Sequence, residues 1–152
     1  MMIKAPSVLS VAAMVLAALL AGCSSRDDTH DARLKAAGAD RSLPALLKVA
    51  DPRIGEAKAG PCKGCHTLDA GGPDLGGPNL HGIYGSPMGR NRPAFAYSAA
   101  LRDANGHWDD ATLDAWLRNP QALVPGTYMQ FGGISDPLDR ADIIAYLRTQ
   151  KN

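Results

Sequence analysis

The chain has 152 residues, enough for one domain with appendages, and its 16 Lys and Arg against 15 Asp and Glu leave a net charge of +1. That balance excludes the strong basic excess with which a domain grips nucleic acid. The 16 Gly and 11 Pro point to a loop-rich fold, and with only 5% aromatic residues something besides stacked rings must fill the core.

The chain opens MMIKAPSVLSVAAMVLAALLAGC, with Lys4 followed by an apolar run over 8–21 broken only by Ser10. Such a run falls short of the roughly 20 residues a membrane-spanning helix needs, and it suits the apolar core of an export signal. Leu20-Ala21-Gly22-Cys23, where the run ends, resembles the lipobox of bacterial lipoproteins. The resemblance implies that residues 1–22 are cut away and that Cys23 carries a diacylglyceryl group, which would anchor an exported protein to a bacterial membrane. Ser24 stands where an Asp favours inner-membrane retention in enteric bacteria; the choice between inner and outer membrane stays open.

Residues 23–50 read as the lipidated cysteine and its tether. The stretch SSRDDTHDARLKAAGADRS is polar and has no sustained apolar period, so a flexible coil is expected, spanning on the order of 30 Å. His30 would be a solvated residue within it. SLPALLKVA (42–50) has the composition of a short helix on the surface of the following domain.

The domain itself is expected over 51–152. Asp51-Pro52 is a helix start, with a capping carboxylate and a proline pre-set for the first helical position. That helix should falter at Gly60-Pro61, because a proline there has no N–H to give. Residues 68–95 gather most of the glycines and prolines and predict an irregular loop layer. Asp109 starts a second helix whose Leu113, Trp116 and Leu117 share one face, and Pro120 stops it. Asp136-Pro137 repeats the start signal, with Asp139 in the first turn; Ile143, Tyr146 and Leu147 line one face of the final helix. No segment alternates with period two, so the fold class is all-α: a few short helices with long loops.

Cys62-Lys63-Gly64-Cys65-His66 carries the chemistry. A zinc site wants four ligands, usually two paired half-sites, and no second cysteine pair exists while His81 and His107 stand alone. A thioredoxin-like pair would follow a strand, which is missing, and would leave His66 without a role. C-x-x-C-H is the signature of c-type haem attachment, in which each thiol adds to a porphyrin vinyl group and the histidine becomes an axial ligand. One covalent haem c through Cys62 and Cys65 would also supply the missing apolar core. A second ligand is then wanted at the iron. Met88 in GSPMGRN and Met129 in PGTYMQFGG both lie in loop-like stretches, and chemistry alone does not choose between them.

Residues 51–150 resemble a class I c-type cytochrome of the mitochondrial and bacterial c2-like branch. The matches run in order through Cys62-Lys63-Gly64-Cys65-His66, Gly77-Pro78-Asn79-Leu80-His81-Gly82, Tyr97-Ser98, Trp108, Leu117-Arg118-Asn119-Pro120, Pro125-Gly126-Thr127-Tyr128-Met129 and Ala141-Asp142-Ile143-Ile144-Ala145-Tyr146-Leu147. The resemblance implies a class I fold wrapped around one haem, with His66 and Met129 as axial ligands. It further implies that the Pro78 carbonyl fixes the His66 ring, that Tyr97 and Trp108 bond a buried propionate, and that Thr127 and Asn119 brace the Met129 loop. Such a protein is an electron carrier rather than an enzyme, since two protein ligands leave the iron no vacant position.

Departures from the family pattern matter as well. Lys58 and Ala59 stand where an aromatic normally packs on the last helix, so a looser contact with Tyr146 is expected. Ser86 replaces the usual propionate arginine, leaving Arg90 or Arg92 as substitutes, and Trp116 replaces a tyrosine near the methionine sulfur. Pro73, Asp74, Tyr128, Asp136 and Pro137 occupy places where mitochondrial relatives ring the haem edge with lysines, so basic steering of partners should be weak. The expected function is a lipid-anchored, monomeric, monohaem one-electron carrier in the periplasm. It would run between a quinol-oxidising complex (quinol–cytochrome c reductase) and a terminal oxidase or reductase. The alternative is a haem-based sensor or peroxidase-like protein with a displaceable methionine.

Overall fold

The computed structural model describes residues 29–150. The expectations for the signal segment 1–22 and for Cys23 lie outside the described residues. Helices account for all regular structure among these residues apart from one isolated bridge between Pro87 and His107.

Helical turns over 29–37 (α1) lead through Gly38, held in the left-handed region at φ 92°, into α2 (Leu43–Val49). Then follow α3 (Pro52–Lys58), a 3-10 turn (Gly60–Gly64), α4 (Ala99–Asp103), α5 (Asp110–Arg118), α6 (Pro120–Leu123) and α7 (Pro137–Thr149). The start signals act as their chemistry requires. The Asp51 carboxylate accepts from the Arg53 N–H at 2.8 Å, and that of Asp136 accepts from Leu138 and Asp139 at 2.8 and 3.1 Å. Asp109 and Thr112 close a reciprocal capping box at the start of α5. Helix α3 stops at Lys58 and Pro61 sits in the 3-10 turn, as the proline dictates. Pro120 ends α5 and becomes the first residue of α6.

The central pairing is α3 across α7. Its closeness comes from Gly55: a Cβ there would lie 2.0 Å from the Asp142 carbonyl oxygen and 2.9 Å from the Tyr146 Cβ. The expected loosening beside Tyr146 therefore does not occur. Without a large aromatic on α3 the two backbones approach directly, and Ala59 is 1% exposed in the core that holds Ile143, Ile144, Tyr146 and Leu147.

The flexible tether expected over 23–50 is corrected for residues 29–49, which form two helices, 29–37 and Leu43–Val49, packed on the domain. Leu46 is buried against Leu138 and Ala141 of α7, with Leu34 and Ala37 of α1 beside them. His30 is half-buried and paired rather than free in solvent: its Nε2 lies 3.1 Å from an Asp136 carboxylate oxygen. Arg33 reaches the fully buried Asp142 carboxylate with both terminal nitrogens, one at 3.1 Å, and its Nε donates to the Val49 carbonyl at 2.9 Å. The Asp51 N–H donates to the same carboxylate at 2.8 Å. Apolar spacing in 29–41 is too sparse to show a docking face, because a buried ion pair does part of the work.

Removing Arg33 would strand a carboxylate in the interior. Arg33→Ala is expected to cost about 3–5 kcal/mol in urea unfolding of the holoprotein, the usual penalty for breaking a buried pair. Arg33→Met with Asp142→Leu should recover most of it. A single variant as stable as wild type would show that α1 does not hold Asp142.

Candidate haem site

The 3-10 turn brings the cysteine pair and histidine together. Cys65 N–H and His66 N–H both donate to the Cys62 carbonyl, at 3.1 and 2.9 Å, winding Cys62 to His66 into a single turn. Cys62 packs against the main core while Cys65 is exposed; both are unbridged. Burial pushes the Cys62 thiol above its ordinary value.

His66 is held on two sides. Its Nδ1 lies 2.7 Å from the Pro78 carbonyl oxygen. A carbonyl only accepts, so Nδ1 carries the proton and Nε2 keeps its lone pair. Gly77 lies flat against the ring: a Cβ there would fall 2.2 Å from Cε1 and 2.6 Å from Nδ1. A second rung joins the same two stretches one residue on. The Asn79 side-chain amide donates to Thr67 Oγ1 at 2.5 Å and to the Asp69 carbonyl at 3.0 Å, and Leu80 N–H donates to the Thr67 carbonyl at 2.9 Å. Asn79 is 1% exposed, and its side-chain oxygen accepts from the His81 N–H at 3.0 Å. His81 itself donates from Nδ1 to the Leu68 carbonyl at 3.3 Å, a structural role.

These residues fit a c-type haem. The two thiols are available within one turn, and the imidazole presents Nε2 because Nδ1 is committed to Pro78.

The two methionines differ in setting. Met88 is buried, its N–H bonded to the Gly106 carbonyl at 3.0 Å and its sulfur close enough that a Cβ on Gly106 would lie 3.3 Å away. Met129 is partly buried against the main core, on a loop whose neighbour Tyr128 is 73% exposed. Thr127 Oγ1 accepts from the Met129 N–H at 3.4 Å. The brace that sequence reasoning missed is Gln121, whose side-chain amide donates to the Thr127 and Met129 carbonyls at 2.8 and 3.3 Å. Asn119 instead caps α6, accepting from Ala122 N–H at 3.1 Å, and so sets Gln121 in place. After the loop, the buried Arg140 donates to the Ile134 and Ser135 carbonyls at 2.8 Å and to Asp114 at 2.7 Å, tying the returning chain to α5 and α7.

Tyr97 and Trp108 are both buried. The Tyr97 hydroxyl donates to Asn91 Oδ1 at 2.6 Å, and burial pushes its pKa up to about 12. Trp108 meets Trp116 edge to face at 5.0 Å. The two arginines expected as propionate partners hold other groups: Arg90 donates to the Arg102 carbonyl at 3.1 Å, and Arg92 Nε donates to Asp74 Oδ1 at 3.0 Å. Asn91 and Arg92 line a polar cleft with Ser86, Asn79 and His81.

Comparison with known proteins gives the family of this chain. The cytochrome c family pattern matches residues 55–151. A cytochrome c homolog of Bradyrhizobium diazoefficiens is 41% identical over 114 residues, which are 75% of this chain and 62% of that relative's length. Cytochrome c2 of Rhodomicrobium vannielii is 46% identical over 100 residues, covering 66% of this chain and 79% of the relative. The solved structure of cytochrome cH from Methylobacterium extorquens superposes with a TM-score of 0.62 at 43% identity, covering 66% of this chain and 99% of that one. The chain belongs to the cytochrome c family and is a class I c-type cytochrome. Its haem c is covalent, through Cys62 and Cys65.

Gly77→Ala would push a methyl group into the His66 ring. It is expected to lower holoprotein stability by about 1–3 kcal/mol, the cost of overpacking a tight site. Urea unfolding followed at the haem absorbance checks this; an unchanged midpoint would mean that the ring is not seated on Gly77.

Proposed function

We propose that this cytochrome is a membrane-tethered one-electron carrier with His66 and Met129 as axial ligands, serving a bacterial respiratory chain from the periplasm. The observation that carries the ligand reading is the Nδ1 proton of His66, committed to Pro78, directly after the attachment cysteines. Haem c supplies a one-electron Fe(II)/Fe(III) couple. Pro78 and Gly77 keep the imidazole from rotating, and Gln121 with Thr127 holds the methionine loop in one conformation. Rigid positioning on both sides keeps rearrangement between oxidation states small, and a thioether ligand favours the reduced state. Pro78, Tyr97, Trp108 and Thr127 complete the binding residues in this reading, with Asn91 orienting the Tyr97 hydroxyl.

Lipidation of Cys23 follows from the lipobox resemblance. The docked α1 changes its consequence. Six peptide steps separate Cys23 from Thr29, a reach of about 20 Å at full extension. The lipid would therefore hold the haem domain close to the bilayer and raise the effective concentration of partners in the same membrane. Those partners are a quinol-oxidising complex as donor and a terminal oxidase or reductase as acceptor. Exposed Tyr128 and Leu75 offer apolar contact in place of a lysine ring, and Asp74 and Asp136 already face Arg92 and His30.

Met129→Ala should abolish the sulfur-to-iron charge-transfer band of the oxidised protein while Met88→Ala keeps it; the reverse pattern would move the ligand to Met88. Cys23→Ser should release the protein from the membrane fraction with its haem spectrum intact, and retention would count against lipid anchoring. Electron transfer to a membrane oxidase should change less than about threefold between 0.05 and 0.2 M salt. A steep fall would reinstate basic steering.

A further inference from the structure

The Pro78 carbonyl that holds His66 and the Asn79 N–H belong to one peptide group. On one side its oxygen accepts from His66 Nδ1 at 2.7 Å; on the other its N–H donates to Asp74 Oδ1 at 2.8 Å. The same carboxylate oxygen accepts from Arg92 Nε at 3.0 Å, and Arg92 also donates to the Gly72 carbonyl at 3.4 Å. A charged pair thus connects to the imidazole through a single amide, with the Asp74 and Arg92 side chains 20% and 33% exposed.

We propose that Asp74, tempered by Arg92, tunes the haem reduction potential through the Pro78–Asn79 peptide and the His66 ring. This rests on the reading of His66 as the iron ligand. A carboxylate accepting at the N–H end shifts electron density in the amide toward its oxygen, because hydrogen bonds in series polarise one another. The oxygen becomes a stronger acceptor, and the Nδ1–H bond gives the imidazole more imidazolate character. A more electron-rich imidazole stabilises the oxidised state and lowers the potential. Arg92 draws charge from Asp74 and works the other way. Neither residue touches the ring, so both are positioning residues. Buried Asn79 fixes the geometry of the relay, since its side chain is locked to Thr67 and Asp69 and its amide plane has no freedom to turn.

Polarisation of about 10–30% per bond makes the expected change about twofold in the electron-exchange equilibrium with a fixed-potential mediator, or ~20 mV at 59 mV per decade. The test uses the full-chain holoprotein with Asp74→Asn, Arg92→Gln and the double variant. Each is titrated against redox mediators in 10 mM and 500 mM salt, with NMR spectra of the reduced forms. Asparagine keeps an oxygen that accepts from the Asn79 N–H, so the turn is preserved. Asp74→Asn should favour reduction about twofold and Arg92→Gln should favour oxidation. The two effects should be non-additive in the double variant, and the Asn79 amide resonance should move in Asp74→Asn. A relay through bonds persists at high salt, whereas a direct field from part-exposed charges is screened. An unchanged potential, or shifts that vanish in 500 mM salt, would overturn the proposal while leaving ligation by His66 intact. Absence of ring-current-shifted His66 protons in the reduced protein would sink the ligand reading and the proposal with it.

Discussion

The hydrogen bond from His66 Nδ1 to the Pro78 carbonyl is the constraint on which the rest of the molecule turns. It decides the tautomer of the ring and leaves Nε2 its lone pair, the nitrogen that the proposed reading gives to iron. Everything around it serves to keep that bond short. Gly77 yields the space of a side chain to the ring, and the Asn79–Thr67 rung repeats the connection one residue further along each stretch. The histidine after two cysteines, a ligand in the proposed reading, has its ring direction set by a loop 12 residues later that folds back to meet it.

That loop and the cysteine turn need a platform, and the α3–α7 crossing provides it. The Asp142 carboxylate, fully buried, sits behind this crossing and would be a liability alone. Arg33 and the Asp51 N–H satisfy it, so the N-terminal helices are part of what keeps the two central helices together. The cytochrome c family pattern begins at residue 55, so α1 and α2 precede the stretch it matches. On the opposite side Arg140 and Asp114 perform a similar task for the chain returning from Met129.

Local chemistry was the legible part of the sequence. Asp51, Asp109 and Asp136 cap helices that begin at the next residue, and Pro61 and Pro120 end helices where a missing N–H requires it. These signals act within one turn, so they survive without knowledge of the fold. The cysteine–histidine motif was legible for the same reason. Long-range partnerships were not. Arg33 and Asp142 are 109 residues apart, and nothing in the polar stretch around Arg33 marks it as a buried partner. Gln121 looked like any surface residue after Pro120, yet the capped first turn of α6 aims its amide at the Met129 loop. Its one available signal was the Asn-Pro helix start just before it. The charge of Arg92 suits a propionate partner. The nearby Asp74 competes for it at 3.0 Å, a contact that sequence spacing does not reveal.

The account stands or falls on whether the iron is held between His66 and Met129. The direct measurement is a proton and nitrogen NMR spectrum of the diamagnetic reduced protein. The porphyrin ring current should carry the Met129 methyl and the His66 ring protons far from their ordinary positions, with the His66 Nδ1 proton exchanging slowly behind its bond to Pro78. Ordinary shifts for the Met129 methyl, or a freely exchanging Nδ1 proton, would contradict it.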